Sequence, residues 1–438
     1  MYLFYRILSY STIFLIFLLF MNSHAPLGTS WLDWHGQRIF NAVEFLRING
    51  FFSDFGFTIW DSCKGCSLEL SDWKEKLYLS TNGASLIPYY IINLLWGKEA
   101  LFVLGPMLDK LIIFSCAVLV SELMIKFIKG VTDFPIYLIG VTVFTLFSVS
   151  PWSYKMILAA WFEIYFLLFF LLGIIAFINS KNNIAYFSFF LAGLFHYQWA
   201  AVVAIFYLLL LMAPFFFSTK KIHRPILNAS YFPPNSQKYY IIISLIVPAL
   251  VVMSLGMVAQ QFAEGLSGSS FFWRIGIAGH DIHNGGLLGA LQFLGGNRVT
   301  VCFGDYGLAS ISNNMDLMIK IAMFNCILSI AGMALISFFS IIGTYFLIKK
   351  SFLAKWSLLP LIFALLIFIS FFQQSLSVHL MGYSFIFAVL FSVGITNMML
   401  VFYEHLSSRV LSLIFSFPCV IGVLILSIRV SMLTGVNG

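Results

Sequence analysis

The chain has 438 residues, of which 61% are hydrophobic and only 9% are charged. A soluble domain carries about 25% charged residues, so this chain has too little charge to cover a water-facing surface. Its 18% aromatic residues suit lipid-facing helices and interfacial belts. The composition predicts an all-α polytopic membrane protein, with residues 1–438 in a single integral membrane domain. It excludes soluble cytosolic enzymes, nucleic-acid-binding proteins and small disulfide scaffolds.

Apolar segments that are long enough to cross a bilayer recur along the whole chain. About 20 mostly apolar residues cross the hydrocarbon core, and on that basis we predict about eleven transmembrane helices, within a range of nine to twelve. Those predicted as single helices are 7–21, 104–125, 134–150, 160–178, 239–259, 320–348, 356–372, 380–402 and 410–430. The stretch 184–217 is too long for one helix and is interrupted at His196–Trp199, which predicts two short helices that meet at the membrane face.

The distribution of basic residues predicts the orientation in the membrane. The loops on one side of the predicted spans hold 12 of the 24 Lys and Arg residues but only 3 of the 17 Asp and Glu residues. Cytoplasmic loops carry such an excess, so the N-terminus is predicted inside and the C-terminus outside. The first span is expected to stay uncleaved, because Pro26 would directly follow the signal-peptide-like Ser23-His24-Ala25. The Phe/Ile-rich chain is typical of a bacterial inner membrane protein whose outer side faces the periplasm.

Two predicted outer loops, 22–103 and 260–319, are too long to be simple connections. Long ordered loops usually carry function. In the first loop, apolar residues at helical spacing predict an interfacial helix that ends at Asn49-Gly50. Its predicted water-facing side carries Arg38, Glu44 and Arg47. A second apolar piece, Ile91–Trp96, is too short to span and is also predicted at the interface, with Gly97 as its stop.

Two carboxylates in the first outer loop are candidates for catalysis. Asp33 lies just before the first interfacial helix, where the Ser30-x-x-Asp33 pattern also fits a helix-capping box. Asp61 follows Trp60 and is either a turn residue or a second carboxylate of the same site.

Further candidates lie near the predicted outer ends of two spans. Glu163 lies close to the start of its span, and a carboxylate at membrane depth tends to be functional or paired. Lys155 is one or two turns further out and is either a partner of Glu163 or a phosphate contact. His196 lies at the predicted turn between the two short helices, as a structural group or as part of the site.

The second outer loop contributes two histidines and an arginine. His280 and His283 flank Asp281 in a pattern that could bind a cation, although three close ligands rarely complete a site alone. Contact with a substrate or phosphate is the other interpretation. Arg298, which follows a Gly-Gly-Asn sequence, could present its guanidinium to a phosphate.

The layout of the first 215 residues resembles that of the GT-C superfamily of membrane glycosyltransferases. The shared features are Asp33 just after the first span, the interfacial helix ending at Asn49-Gly50, the Trp60-Asp61 corner, the Pro88-Tyr89 helix closing on Trp96-Gly97, and the segment from Ser150 to Phe177 with Glu163. The resemblance implies transfer of a sugar from a polyprenyl-phosphate-linked donor to a glycan, lipid or protein acceptor on the outer face. It also implies an acidic residue of the first outer loop that acts as a base or as a ligand of a divalent cation, Mg²⁺ or Mn²⁺.

On this interpretation Asp33 is the base or metal ligand, and Asp61 and Glu163 are supporting carboxylates. Lys155 and Arg298 contact phosphate, and His280 and His283 shape the acceptor side. Two alternatives remain open: a polysaccharide polymerase of the O-antigen type that uses the same lipid-linked chemistry, and a secondary transporter or flippase. Transporters usually place charges in mid-span and repeat their halves. In this chain the ionisable residues gather at one predicted membrane face, which favours surface chemistry.

Overall fold

The computed structural model describes Ser11, residues 36–50, 67–68, 83–128, 136–148, 150–153, 163–216, 235–262, 317–371 and 384–405, and Ile425. Within these ranges the regular structure is helical and no strand occurs. The α-helices are α1 Gly36–Asn49, α2 Ile87–Trp96, α3 Lys98–Ile128, α4 Ile136–Ser148, α5 Glu163–Ile178, α6 Asn182–Phe195, α7 Tyr197–Phe216, α8 Asn235–Phe262, α9 Leu317–Lys350, α10 Phe352–Phe371 and α11 Ser384–His405. A 3₁₀ turn at Gly83–Leu86 leads into α2.

The apolar helices confirm an all-α membrane protein. In the described part of the chain, four helical segments are long and apolar enough to cross a bilayer: Lys98–Ile128, Gln237–Gly256, Ile327–Lys350 and Phe385–Glu404. Shorter apolar helices, among them α4, α5 and α6, pack beside them. The helices α3 to α11 overlap the predicted spans between residues 104 and 402, whereas the predicted spans 7–21 and 410–430 lie outside the described residues.

Neighbouring contacts show that successive helices from α3 to α11 alternate in direction. Lys126 donates a hydrogen bond to the Asn179 side chain at 2.9 Å, and the Cys116 thiol lies 4.0 Å from the Ile164 carbonyl oxygen, so α3 and α5 run the same way. The helix between them, α4, therefore runs in the opposite direction. Likewise α9 and α11 run in parallel, because Lys350 pairs with Glu404 at 3.1 Å while Ser340 donates to the Leu390 carbonyl oxygen at 2.6 Å.

Several helix ends meet at one end of the bundle. Phe127 and Ile128 of α3 lie beside Lys350, Ser351 and Glu404 around a small cleft. We call this the basic end, since Lys126, Lys350 and the exposed Lys181 lie there. The sequence assigns these lysines to one side of the membrane, and their grouping at one end agrees with that assignment.

The turn between α5 and α6 holds a serine in a left-handed conformation. The Lys181 amide donates to the Ala176 carbonyl oxygen at 2.8 Å, and the Ser180 amide donates to the Phe177 carbonyl oxygen at 2.9 Å. This is the paired hydrogen bonding of a Schellman motif, whose left-handed position is normally glycine. Here Ser180 has φ 60°.

Ser180→Gly is therefore expected to stabilise the protein. Ser180 is exposed, so glycine relieves the left-handed strain of about 1 kcal/mol without removing a packed side chain. A thermal unfolding curve in detergent should show a higher midpoint for Ser180→Gly than for wild type. Ser180→Ala keeps the strain and serves as the control, so an equal rise in both variants would contradict this explanation.

The structure contains the two predicted helices of the first loop, α1 and α2, and two details differ from the prediction. Gly50 and Gly97 have φ of 90° and 80°, which explains why α1 and α2 stop where the sequence predicted. The prediction that Glu44 faces water is wrong. Glu44 is only 7% exposed and accepts a hydrogen bond from Asn93 of α2 at 2.7 Å, because α2 docks on the polar side of α1. In addition, α3 begins at Lys98, six residues before the predicted span at 104–125.

A close helix contact joins α9 and α11 through two glycines. A Cβ atom added at Gly394 would overlap the Ser340 carbonyl oxygen, and one added at Gly343 would overlap the Gly394 carbonyl oxygen. Asn397 donates to the Gly343 carbonyl oxygen at 2.8 Å across the same contact. Small residues allow such close approach of membrane helices, where van der Waals packing replaces the hydrophobic effect.

Candidate functional site

Of the sequence-predicted site residues, the structure describes Glu163 and His196, and it brings them together. The Nε2 atom of His196 lies 3.6 Å from the Oε1 atom of Glu163. The other six candidates lie outside the described residues: Asp33, Asp61, Lys155, His280, His283 and Arg298.

The pair forms where two antiparallel helices end at the same level. Glu163 is the first residue of α5, and His196 follows the last residue of α6. The backbone of His196 leaves the helical region, with φ −146° and ψ 84°. Its amide still donates to the Ala192 carbonyl oxygen, and its carbonyl oxygen accepts from the Ala200 amide, so the break leaves both backbone groups hydrogen-bonded. The predicted interruption at His196–Trp199 is thus present in the structure at its first residue.

Both side chains of the pair are buried and incompletely satisfied. Glu163 is 9% exposed and His196 is 4% exposed. The Oε2 atom of Glu163 and the Nδ1 atom of His196 have no hydrogen-bond partner within the described residues. A separation of 3.6 Å suits an ion pair with protonated imidazole but exceeds hydrogen-bond length. An unsatisfied buried polar atom costs about 1–3 kcal/mol, so the second oxygen and the second nitrogen are the atoms available to a ligand or to a further residue.

A second buried carboxylate, which the sequence did not single out, lies near this pair. The hydroxyl of Tyr89 in α2 donates a hydrogen bond to Asp109 of α3, and Asp109 is 3% exposed. The Tyr89 ring meets the Tyr165 ring edge to face at 6.5 Å. Tyr165 in turn stacks on Phe195, the residue before His196, at 5.2 Å. Aromatic contacts therefore connect the Asp109 carboxylate to the Glu163–His196 pair.

Helix geometry places the two carboxylates at similar depth. At 1.5 Å per residue, Glu163 is roughly 24 Å along α5 from Asn179, and Asp109 is roughly 26 Å along α3 from Lys126. Asn179 and Lys126 are hydrogen-bonded to each other at the basic end. The hydrocarbon core is about 30 Å thick, so a bilayer with one boundary at the basic end would have its other boundary close to both carboxylates. We call the residues Tyr89, Asp109, Glu163, Tyr165 and His196 the polar layer.

Helices α1 and α2 are attached next to the polar layer. Glu44 of α1 accepts the hydrogen bond of Asn93, which is one helical turn beyond Tyr89 on α2. Glu44 also accepts two hydrogen bonds from the Arg47 guanidinium, at 2.8 and 3.0 Å. These bonds raise the pKa of Arg47, because they favour its charged form. Helix α1 is thereby fixed to α2, and its Phe40 ring stacks on Phe102 of α3 at 5.1 Å.

The sequence carries a signal for Asp109. Asp109-Lys110 is a charged pair inside the predicted span 104–125, and ionisable residues at such positions are functional candidates by default. Lys110 is also buried, with 6% exposed. No comparable signal marks Tyr89, because its partner is 20 residues away on another helix.

The ligand set in the described part of the chain can accept a proton but does not complete a metal site. No three His, Cys, Asp or Glu side chains come together there with the spacing of metal ligands. A divalent cation would therefore need ligands such as Asp33 or Asp61. The Glu163 carboxylate is a group that can act as a general base, and the neighbouring His196 imidazole is a suitable partner for it.

Comparison with protein-family models, with curated proteins and with solved structures gives no match.

Proposed function

We propose that this protein is a membrane glycosyltransferase that moves a sugar from a polyprenyl-phosphate-linked donor to an acceptor at the outer membrane face. The observation that carries the proposal is the buried Glu163–His196 pair, 3.6 Å apart, with one oxygen and one nitrogen unsatisfied within the described residues. Its position near the membrane boundary suits a lipid-linked donor, whose tail stays in the bilayer and whose phosphate lies at the surface.

The proposed topology has eleven spans in one integral membrane domain. The N-terminus is cytoplasmic, and the basic end faces the cytoplasm of a bacterial inner membrane. The polar layer and the outer loops 22–103 and 260–319 then lie on the periplasmic side. The alternating directions of α3 to α11 support this arrangement, since they match the alternation of the predicted spans.

The proposed reaction requires a base and a site for the leaving phosphate. The acceptor hydroxyl attacks the anomeric carbon, the bond from that carbon to the phosphate oxygen breaks, and the polyprenyl phosphate leaves with the bonding electrons. The hydroxyl proton passes to a carboxylate, for which Asp33 and Glu163 are the candidates. Lys155 and Arg298 are proposed to contact the phosphate, Asp61 to support the catalytic carboxylate, and His280 and His283 to shape the acceptor side. Mg²⁺ or Mn²⁺ would neutralise charge on the phosphate, and we assign no step to it.

The proposal is tested with Asp33→Asn in cells that produce the chain. Loss of the carboxylate should block transfer, so the lipid-linked sugar donor should accumulate and the glycan product should fall at least 100-fold, because general-base catalysis contributes roughly 10²–10⁴-fold. Mass spectrometry of extracted lipids and glycans measures both. Asp72→Asn, in the same predicted outer loop, is the control. Equal glycan levels in wild type and Asp33→Asn, at equal protein abundance, would remove Asp33 from the mechanism.

A secondary transporter or flippase is the second candidate, and one observation favours it. Asp109 and Lys110 are buried inside α3, which is one of the membrane-spanning helices. Charged residues within spans often mark a substrate or proton pathway. Purified protein in liposomes separates the two functions: a transferase glycosylates an acceptor on one side of the membrane, whereas a flippase changes the sidedness of the lipid-linked sugar without consuming it.

A further inference from the structure

A cavity at the basic end opens between three helices and is separate from the polar layer. It has a volume of about 210 Å³. Its lining residues come from α7, α8 and α10: Tyr207, Leu210, Lys238, Ile241, Phe352, Lys355, Trp356 and Leu359. It lies near the α5–α6 turn, because Phe177 stacks on Trp356 at 5.4 Å.

Aromatic residues form a fixed wall of this cavity. Tyr207 donates a hydrogen bond to the Trp356 carbonyl oxygen at 3.2 Å, and the two rings lie 5.0 Å apart. Both residues are buried, with 4% and 7% exposed. The wall is therefore held by packing and hydrogen bonding on both α7 and α10, which means that the cavity is built into the bundle.

The charged side chains that line the cavity are all positive. Lys238 of α8 and Lys355 of α10 both line it, and none of the residues lining it is acidic. Lys355 is exposed and Lys238 is half-buried. Two ammonium groups that line the same space from different helices would both attract an anion placed between them.

The rest of the lining is mostly apolar, and one of its side chains is exposed on the outer surface of the bundle. Leu210 is 44% exposed on the outside of α7. Leu359 lies one turn beyond Lys355 on α10, deeper along the bundle. An anionic lipid matches this lining, since its phosphate would lie at the lysines and a hydrocarbon chain would continue past Leu210 toward Leu359. Basic pockets between membrane helices bind anionic lipid headgroups in this way.

We propose that this cavity binds an anionic glycerophospholipid of the surrounding leaflet, with Lys238 and Lys355 on its phosphate and its chain against Leu210 and Leu359. This site is independent of the proposed sugar transfer. Each lysine near an anionic lipid contributes enough for about a 5-fold change in affinity, so loss of both predicts a roughly 30-fold weaker association.

The test compares lipid retention in two double variants. Wild-type protein is reconstituted in nanodiscs that contain phosphatidylglycerol and phosphatidylcholine. Native mass spectrometry of the protein released from these nanodiscs then counts the lipid molecules of each kind that stay bound. Wild type should keep phosphatidylglycerol, and Lys238→Gln with Lys355→Gln should lose that preference. Lys181→Gln with Lys349→Gln removes two exposed lysines that do not line the cavity, and it should behave like wild type.

Three outcomes would overturn the proposal. Equal loss in both double variants would show a general effect of surface charge. Equal retention of phosphatidylcholine by wild type would show that the headgroup charge is not recognised. Displacement of the lipid by millimolar inorganic phosphate would show a site for small anions. Thermal unfolding of each variant confirms that retention is measured on folded protein, and Lys238→Arg with Lys355→Arg provides a charge-preserving variant that should retain the lipid.

Discussion

Glu163→Gln should lower sugar transfer by at least 100-fold while leaving the protein folded. The amide has nearly the shape of the carboxylate, so the packing around α5 is kept, but it cannot accept a proton from a hydroxyl. General-base catalysis typically contributes roughly 10²–10⁴-fold to a rate. The measurement is the initial rate of transfer per folded protein in liposomes that contain the lipid-linked donor. Glu99→Gln removes an exposed carboxylate from the first turn of α3 and is the matched control.

His196 provides the second half of this experiment. If the two side chains act as a unit, Glu163→Gln, His196→Asn and the double variant should all reduce the rate by similar factors, because effects within one interacting pair do not add. A purely structural pair predicts a different pattern, in which the unfolding midpoint falls and the rate per folded molecule does not. That second pattern would remove Glu163 from the chemistry and leave it as a packing partner of the α5–α6 hairpin.

Gly394→Ala should sharply reduce the amount of folded protein. The added Cβ overlaps the Ser340 carbonyl oxygen, so α9 and α11 must separate along a contact that also includes Gly343 and the Asn397 hydrogen bond. Overpacking lowers the free energy of unfolding by about 1–3 kcal/mol and occasionally more. The higher helix propensity of alanine raises it by only about 1 kcal/mol. At a backbone contact the upper value applies, since a main-chain oxygen cannot rotate away.

The midpoint of thermal unfolding and the yield after size-exclusion chromatography measure this effect. Ala331→Leu, which adds more volume at an exposed position of α9, is the control and should resemble wild type. Gly343→Ala should act like Gly394→Ala, and the double variant should be less destabilised than the sum of the two, because either change alone already separates the helices. An unchanged midpoint for Gly394→Ala would contradict the close parallel packing of α9 and α11.

Local features of the fold could be predicted from the sequence because they depend on neighbouring residues. The stops at Gly50 and Gly97 follow from glycine's access to positive φ, and both occur. The break at His196 follows from a polar interruption in an apolar stretch that exceeds one membrane thickness. Glu163 could be predicted as a functional candidate because a carboxylate at membrane depth is energetically costly.

Tertiary partners could not be predicted in the same way. Glu44 lies on the polar side of an amphipathic pattern, and hydropathy cannot show that α2 covers that side and supplies Asn93. The hydrogen bond between Tyr89 and Asp109 likewise depends on how α2 folds back on α3. Gly343 and Gly394 carry almost no hydropathy signal, because their role depends on the absence of a side chain.

The parallel contact of α9 and α11 has a consequence for biosynthesis. Ser340 and its acceptor Leu390 are 50 residues apart, with the whole of α10 between them. At roughly 5–20 residues per second, a ribosome needs about 3–10 seconds to make that interval. During this time the glycine-bearing surface of α9 has no α11 to pack against, so a nascent chain whose translation stalls after α10 exposes that surface to whatever insertion factor or lipid is nearby.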